Sequence, residues 1–203
     1  MADHRIITTV LDKYFDFCRE PGEEYSLAAP TEQIPGIMLD DSRPEDANGY
    51  SFWLPIASRV NDKDLSAVEN FFHHPLPPSY KYFLQQHYFL ELPLHDDSPF
   101  YIDFFYNLPS ALLAVFNEKV EKYYSALPGR NYLPFADYVN YGVLAFDANE
   151  PAAGNEYKIV LLNHEDDYSR PIFYAAGFTE MFHGLEKNLD ESIKQITSYR
   201  DNS

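Results

Sequence analysis

A chain of 203 residues with a formal net charge of −17, from 32 acidic and 15 basic residues, repels phosphate backbones and anionic membranes. Nucleic acid and membrane are therefore disfavoured as partners and a basic protein is favoured, although acidity also serves simply to keep a cytosolic protein soluble. One cysteine, Cys18, excludes an internal disulfide, and with no apolar run of about 18 residues and no signal-like start in Met1-Ala2-Asp3-His4-Arg5 the expected compartment is the cytoplasm.

Residues 4–19 place Ile6, Ile7, Val10, Leu11, Tyr14, Phe15 and Cys18 at helical spacing, which predicts an amphipathic helix. Residues 20–49, rich in Pro, Gly, Asp and Glu, read as an irregular connection. "YSFWLPIASRV" (50–60) is a strand candidate ending at or soon after Pro55. In "NDKDLSAVENFFHHPLPPSYKYFLQQHYFL" (61–90), Leu65, Val68 and Phe72 share a helical face, with Asp62 or Asp64 as N-cap. Pro75, Pro77 and Pro78 stop that helix and open a second over 79–90, whose apolar side is Tyr80, Phe83, Leu84, His87 and Tyr88.

"FYIDFFY" (100–106) is a further strand candidate, and 107–124 a third helix with Leu112, Leu113, Phe116, Val120 and Tyr123 inward. Residues 132–138, 141–147, 157–163 and 171–176 then read as four antiparallel strands linked by short turns containing Gly, Asn or Asp. Phe182, Leu185, Leu189, Ile193 and Ile196 predict a closing helix over 179–198 capped by Thr179. The expected fold is α+β, an antiparallel sheet flanked by helices: residues 1–49 form a helix and irregular extension, and 50–203 the domain.

Several short motifs occur in an order that resembles the SUKH superfamily, which takes in yeast cell-wall regulators and many bacterial toxin-immunity proteins. They are Trp53 with Pro55, Val68-Glu69 with Phe72, and Leu76-Pro77 followed by Tyr80 and Phe83-Leu84. Leu133-Pro134-Phe135-Ala136, Leu144-Ala145-Phe146-Asp147, Ile159-Val160 with Asn163-His164-Glu165, and Gly177-Phe178 with Met181-Phe182 complete the series. The resemblance spans roughly residues 50–198. It departs from the family pattern at "HYFLELPLHDD", where glycines are common, and at a Gly-rich turn reduced to Asn140 and Gly142. It implies a SUKH-like fold and a non-enzymatic binding role, most readily an immunity protein that neutralises a polymorphic toxin, many of which are nucleases. A regulatory scaffold binding cellular proteins is the rival from another class, and an unrecognised hydrolase is third.

The residues themselves give catalysis little support. Asp147 follows one apolar run and His164-Glu165-Asp166-Asp167 the next. If the two runs pair through the loop 148–156, strand rise separates Asp147 from His164 by roughly 20 Å. That gap excludes a shared metal or proton relay and leaves Asp147 to fix the loop. Adjacent His73 and His74 cannot converge on one ion, and His87 reads as a core histidine on the apolar side of its helix. Cys18 reads as an inert thiol. No catalytic residue, metal or cofactor is called for, and "ALPGRNYLP" reads as a turn. What remains is an acidic patch beside tyrosines, expected to meet a basic toxin: Asp96, Asp97, Tyr101, Asp103, Tyr141, Asp147, Glu165, Asp166, Asp167 and Tyr168. Solvated loop ends are the plainer reading of the same residues.

Overall fold

In the first helix, α1 (Arg5–Phe17), Ile7, Val10, Leu11, Tyr14 and Phe15 make one buried side. It packs along the last helix, α5 (Phe178–Asp201), where the Lys13 ammonium reaches Asp190 at 2.6 Å and Glu186 at 3.4 Å. This computed structural model describes residues 4–98, 100–151 and 153–201; residues 1–3, read above for a signal, and Ala152 of the expected loop lie outside them. The segment after α1 is irregular, with short 3-10 turns and one strand, β1 (Ala28–Pro30), paired with β2 (Tyr50–Phe52). The strand expected over 50–60 is in fact two. β2 stops at Phe52, and β3 (Ile56–Ala57) pairs instead with β4 (His87–Tyr88).

Asn61, not Asp62 or Asp64, caps α2 (Asp62–Phe72). Its side chain accepts from the Lys63 N–H at 2.9 Å while the Asp64 carboxylate accepts from the Asn61 N–H at 3.1 Å, a reciprocal capping box. α3 (Pro78–Leu84) opens on proline as expected but ends six residues early, so His87 and Tyr88 are strand rather than helix. The cause is tertiary. The Leu84 carbonyl, which a continuing helix would hand to residue 88, accepts from the Ser58 hydroxyl and the Asn107 amide, both at 2.8 Å. α4 (Leu112–Tyr123) starts later than 107, after Ser110 takes a left-handed backbone (φ 59°). It buries Leu112, Val115, Phe116 and Val120, leaving Leu113 only partly covered and Tyr123 51% exposed.

The four expected strands pair as read and continue into a six-stranded antiparallel sheet, in the order β10-β9-β8-β7-β6-β5. Its members are β5 (Pro93–His95), β6 (Tyr101–Phe104), β7 (Tyr132–Tyr138), β8 (Gly142–Pro151), β9 (Tyr157–Asn163) and β10 (Ile172–Ala175). β8 runs past Asp147 to Pro151 with a register shift after Phe146. Six flat strands would hold the two edges about 24 Å apart. Yet Tyr174 of β10 donates from its hydroxyl to Asp96, one residue past β5, at 2.7 Å, so the sheet is strongly curled. Rings fill its hollow: Phe104, Phe135 and Phe146 from the strands, Tyr80 and Phe83 from α3, and Phe178 and Phe182 from α5, all buried. Phe135 and Phe146 stack at 4.4 Å and Phe178 lies 5.0 Å from Phe182, within the range where ring pairs attract.

α5 begins at Phe178 rather than behind Thr179, and the Glu180 carboxylate accepts from the Ala176 N–H at 2.9 Å. Phe182 and Leu185 are buried as expected; Leu189, Ile193 and Ile196 are only partly so. Among the described residues no helix is long and apolar enough to cross a membrane.

Candidate binding surface at one end of the sheet

Antiparallel order decides where the turns emerge. β5 runs out and β6 runs back, β7 runs out and β8 back, β9 out and β10 back. The connections around 96–98, 139–141 and 164–171 therefore leave the sheet at the same end. That end gathers Asp96, Asp97, Tyr101, Tyr141, Glu165, Asp166, Asp167 and Tyr168 from distant parts of the sequence. Two of the expected residues do not join them. Asp103 sits inside β6, and Asp147 lies near the opposite end.

The β8–β9 register places Gly142 against Asn163 and Phe146 against Ile159, so Asp147 stands roughly 17 Å along the strand from the start that faces His164. Asp147 is only 5% exposed. Its Oδ1 accepts from the Asn149 N–H at 3.0 Å and from the Asn149 amide at 2.9 Å, and Lys158 lies 3.3 Å from Oδ2. It holds the far loop. Among the described residues no three His, Cys, Asp or Glu side chains are placed to hold a metal ion. His74 bonds Asn131 at 3.0 Å, and His87 lies on β4 beside the Phe15 ring, where burial lowers its pKa. Burial pushes the Cys18 thiol up to about 11, which keeps it protonated and unreactive at neutral pH.

At the shared end the polar groups divide into two kinds. Asp96 is tied down: the Ser98 N–H, the Tyr138 hydroxyl and the Tyr174 hydroxyl donate to it at 2.9, 2.8 and 2.7 Å. Burial alone would raise its pKa, but these donors outweigh burial and hold it below the ordinary carboxylate value. Asp97, Glu165 and Asp167 are exposed, and their carboxylates pair with no described cation. Tyr101 is exposed, Tyr138 buried, and Tyr141 and Tyr168 half-buried.

Two hollows flank this end. On the α4 side, one of about 360 Å³ is lined by Tyr124, Asp137, Tyr138, Tyr141, His164 and Tyr168 among others. Tyr124 donates to Asp137, and Lys119 pairs with it at 2.9 Å. Asp167 and Tyr168 both adopt left-handed backbone (φ 54° and 58°), unusual for a tyrosine. The Arg130 guanidinium on the Tyr168 carbonyl (2.6 Å) and the Tyr168 N–H on the Asn163 carbonyl (2.9 Å) hold them there. On the α5 side, a groove of about 420 Å³ runs between 96–98, β10 and α5. β10 exposes Ile172 and Phe173, and Phe173 lines the groove. Period-2 patterning does not reveal which strand will be outermost, and no other signal in this stretch marks it.

The family model for SMI1 / KNR4 (SUKH-1) matches residues 59–184. The chain belongs to this family. No curated protein matches the chain. The matched segment begins just before α2 and ends within α5, so it contains the whole curled sheet and all three turns of the acidic end. α1 and the irregular segment after it lie outside.

Asp103 belongs to a different feature of this SUKH chain. It stands directly opposite Asp137 in the β6–β7 register, and like charges in that position repel. It lines a hollow of about 550 Å³ with Glu91, Tyr106, Glu118 and Lys119, closed on one side by Ala29 and Gln33 from outside the matched segment. Burial raises the Asp103 pKa to about 6; Asp137 and Glu91 add to the rise and Lys119 opposes it.

Proposed function

We propose that this SUKH chain is an immunity-type protein that neutralises a basic toxin domain, such as a nuclease, by direct non-enzymatic binding in the cytoplasm. The observation that carries the reading is the cluster of acids that three turns bring to one end of the sheet. Lys13, Arg19, Arg43, Lys81, Lys119, Lys158 and Arg200 pair with acids elsewhere on the molecule, and Arg170 is exposed on the same turn as Glu165, Asp166 and Asp167, which outnumber it. Asp97, Glu165, Asp166 and Asp167 are left without a counter-ion at one end of the sheet, beside Tyr101, Tyr141 and Tyr168. A net acidic surface with aromatic side chains steers a basic partner inward and gives it rings to bury. The family's immunity members support the same reading.

The test is binding to any toxin domain encoded beside the gene. The association rate should fall steeply with salt, since exposed charges are screened beyond about 8 Å at physiological ionic strength. Asp97→Lys and the double reversal Asp166→Lys/Asp167→Lys should each slow association while leaving the fold intact. Asp96 is unsuitable for reversal because it ties the sheet together. A rate unchanged by salt and by both reversals refutes the acidic end as the contact surface, and a toxin that is not bound or inhibited refutes the immunity reading.

A further inference from the structure

β10 is an edge strand, with a partner on one side only. Its first residues, Ile172 and Phe173, are 47% and 65% exposed. Successive strand residues point to opposite faces, so neither face of the strand is covered there. Beside Phe173 opens the groove against α5. Met181 and Leu185 give its floor an apolar character, Asp97 and Glu180 are exposed carboxylates along it, and among the described residues no Lys, Arg or His lines it. Gly184 widens it, since nothing lies within 4 Å of where a Cβ would stand. The walls are fixed before any partner arrives, by the tyrosine clamp on Asp96 and by the Glu180–Ala176 bond, so little ordering entropy opposes docking.

We propose that this groove seats an extended, Lys- or Arg-bearing segment of a partner protein, with an apolar side chain against Phe173 and Met181 and its cations toward Asp97 and Glu180. The inference rests on the binding reading above and adds the face and the chemistry of the bound segment. Charge selects the occupant. A second copy of this chain would bring another −17 and the same two carboxylates against this rim, and an acidic segment would meet the same repulsion. Strand addition is not what holds the segment. Pro171 immediately precedes β10 and a register shift falls between Phe173 and Ala175, two devices that blunt an edge and leave room for only a short ladder. The anchor is then the exposed ring, with the acids fixing direction.

A random dodecapeptide library displayed on phage tests this without assuming the partner. The full chain is the bait, and Phe173→Ser and Gly184→Leu are the controls; both positions face open space, so the fold should survive, as amide spectra would verify. Enriched peptides should combine basic with aliphatic or aromatic residues. They should bind each variant at least tenfold more weakly and Asp97→Lys several-fold more weakly. Their addition should shift amides at 172–176 and 180–188. Four results would overturn the proposal: no enrichment, enriched acidic sequences, shifts confined to other surfaces, or equal binding to both variants. New amide protection along β10 with unchanged affinity for Phe173→Ser would show strand addition instead. Toxin binding is a separate measurement. A toxin domain that binds wild type and both variants alike sinks the groove and leaves the immunity reading standing. A peptide seated in the groove of a chain that ignores the toxin does the reverse.

Discussion

Asp103→Asn should make this protein more stable at neutral pH. The carboxyl is raised from the ordinary 3.8 to about 6, by burial first and then by Asp137, its cross-strand neighbour, and Glu91. At about 1.4 kcal/mol for each tenfold change in acidity, ionising it in the fold costs up to about 3 kcal/mol relative to the unfolded chain. Because the folded pKa is the higher one, the native state favours the protonated acid. That advantage is complete below about pH 3.8 and is lost as pH rises through 6. Asparagine has nearly the same shape, carries no charge, and can donate from its amide toward Asp137. It forfeits the attraction of Lys119, so the expected gain at pH 7.5 is about 1–3 kcal/mol.

Urea unfolding of both proteins at pH 7.5 and pH 4 isolates the effect, because every other titrating group is common to the two. The midpoint gap should be clear at pH 7.5 and nearly closed at pH 4. A variant no more stable than wild type at pH 7.5, or a gap of equal size at both pH values, would mean that Asp103 is not strained by its neighbours. Its hollow would then need a different electrostatic account.

The remaining expectations are also read by urea midpoints. Phe83→Ala and Phe182→Ala should each cost about 3–5 kcal/mol, since both rings are fully buried among other rings; a loss below about 1 kcal/mol would place that ring outside the core. Gly142→Ala should cost about 1–3 kcal/mol or more, because its Cβ would fall 1.9 Å from the Leu162 carbonyl oxygen and push β8 from β9. Asp96→Ala should cost about 1–3 kcal/mol by stranding the Tyr174 hydroxyl, leaving the Tyr138 hydroxyl with Ser98 alone, and loosening the contact between β5 and β10. The Asp96 pKa is depressed in the fold, so that cost should shrink as pH falls below about 4, where wild type loses the same interaction.

How much of this was legible in the sequence depends on which forces act locally. α1, the four-strand run and the proline corner follow from spacing and punctuation, and the structure keeps them. The end of α3 does not, because it is set by Ser58 and Asn107, 26 and 23 residues from the carbonyl they occupy. Helical periodicity carries no trace of a remote donor, so it ran on through His87. The late start of α4 is of the same kind, with Asn107 already engaged and Ser110 turned left-handed. The convergence of the acidic turns was within reach, since alternating antiparallel strands must return every second turn to one end. The curl that brings Asp96 to Tyr174 was not, because nothing along the chain says that the two edges of a sheet will meet.

That distinction sorts the acidic residues better than their positions in the sequence do. Asp96 and Asp97 are sequence neighbours and both belong to the expected acidic patch, but three donors hold Asp96 while Asp97 faces solvent. A carboxylate already satisfied by two tyrosines would have to give up those bonds to meet a partner's lysine, and the exchange gains little. Asp147 is excluded by the same reasoning, its oxygens being occupied by Asn149 and Lys158. At this end the residues fit to act on a partner are those the fold leaves with a free oxygen or ring: Asp97, Glu165 and Asp167 for encounter, Glu180 through the oxygen that the Ala176 N–H does not take, and Phe173 for hold. Exposed acids also stand elsewhere, among them Asp41, Glu45, Asp62, Glu121 and Glu191; what sets this end apart is that three turns bring Asp97, Glu165 and Asp167 together where the edge strand exposes Phe173.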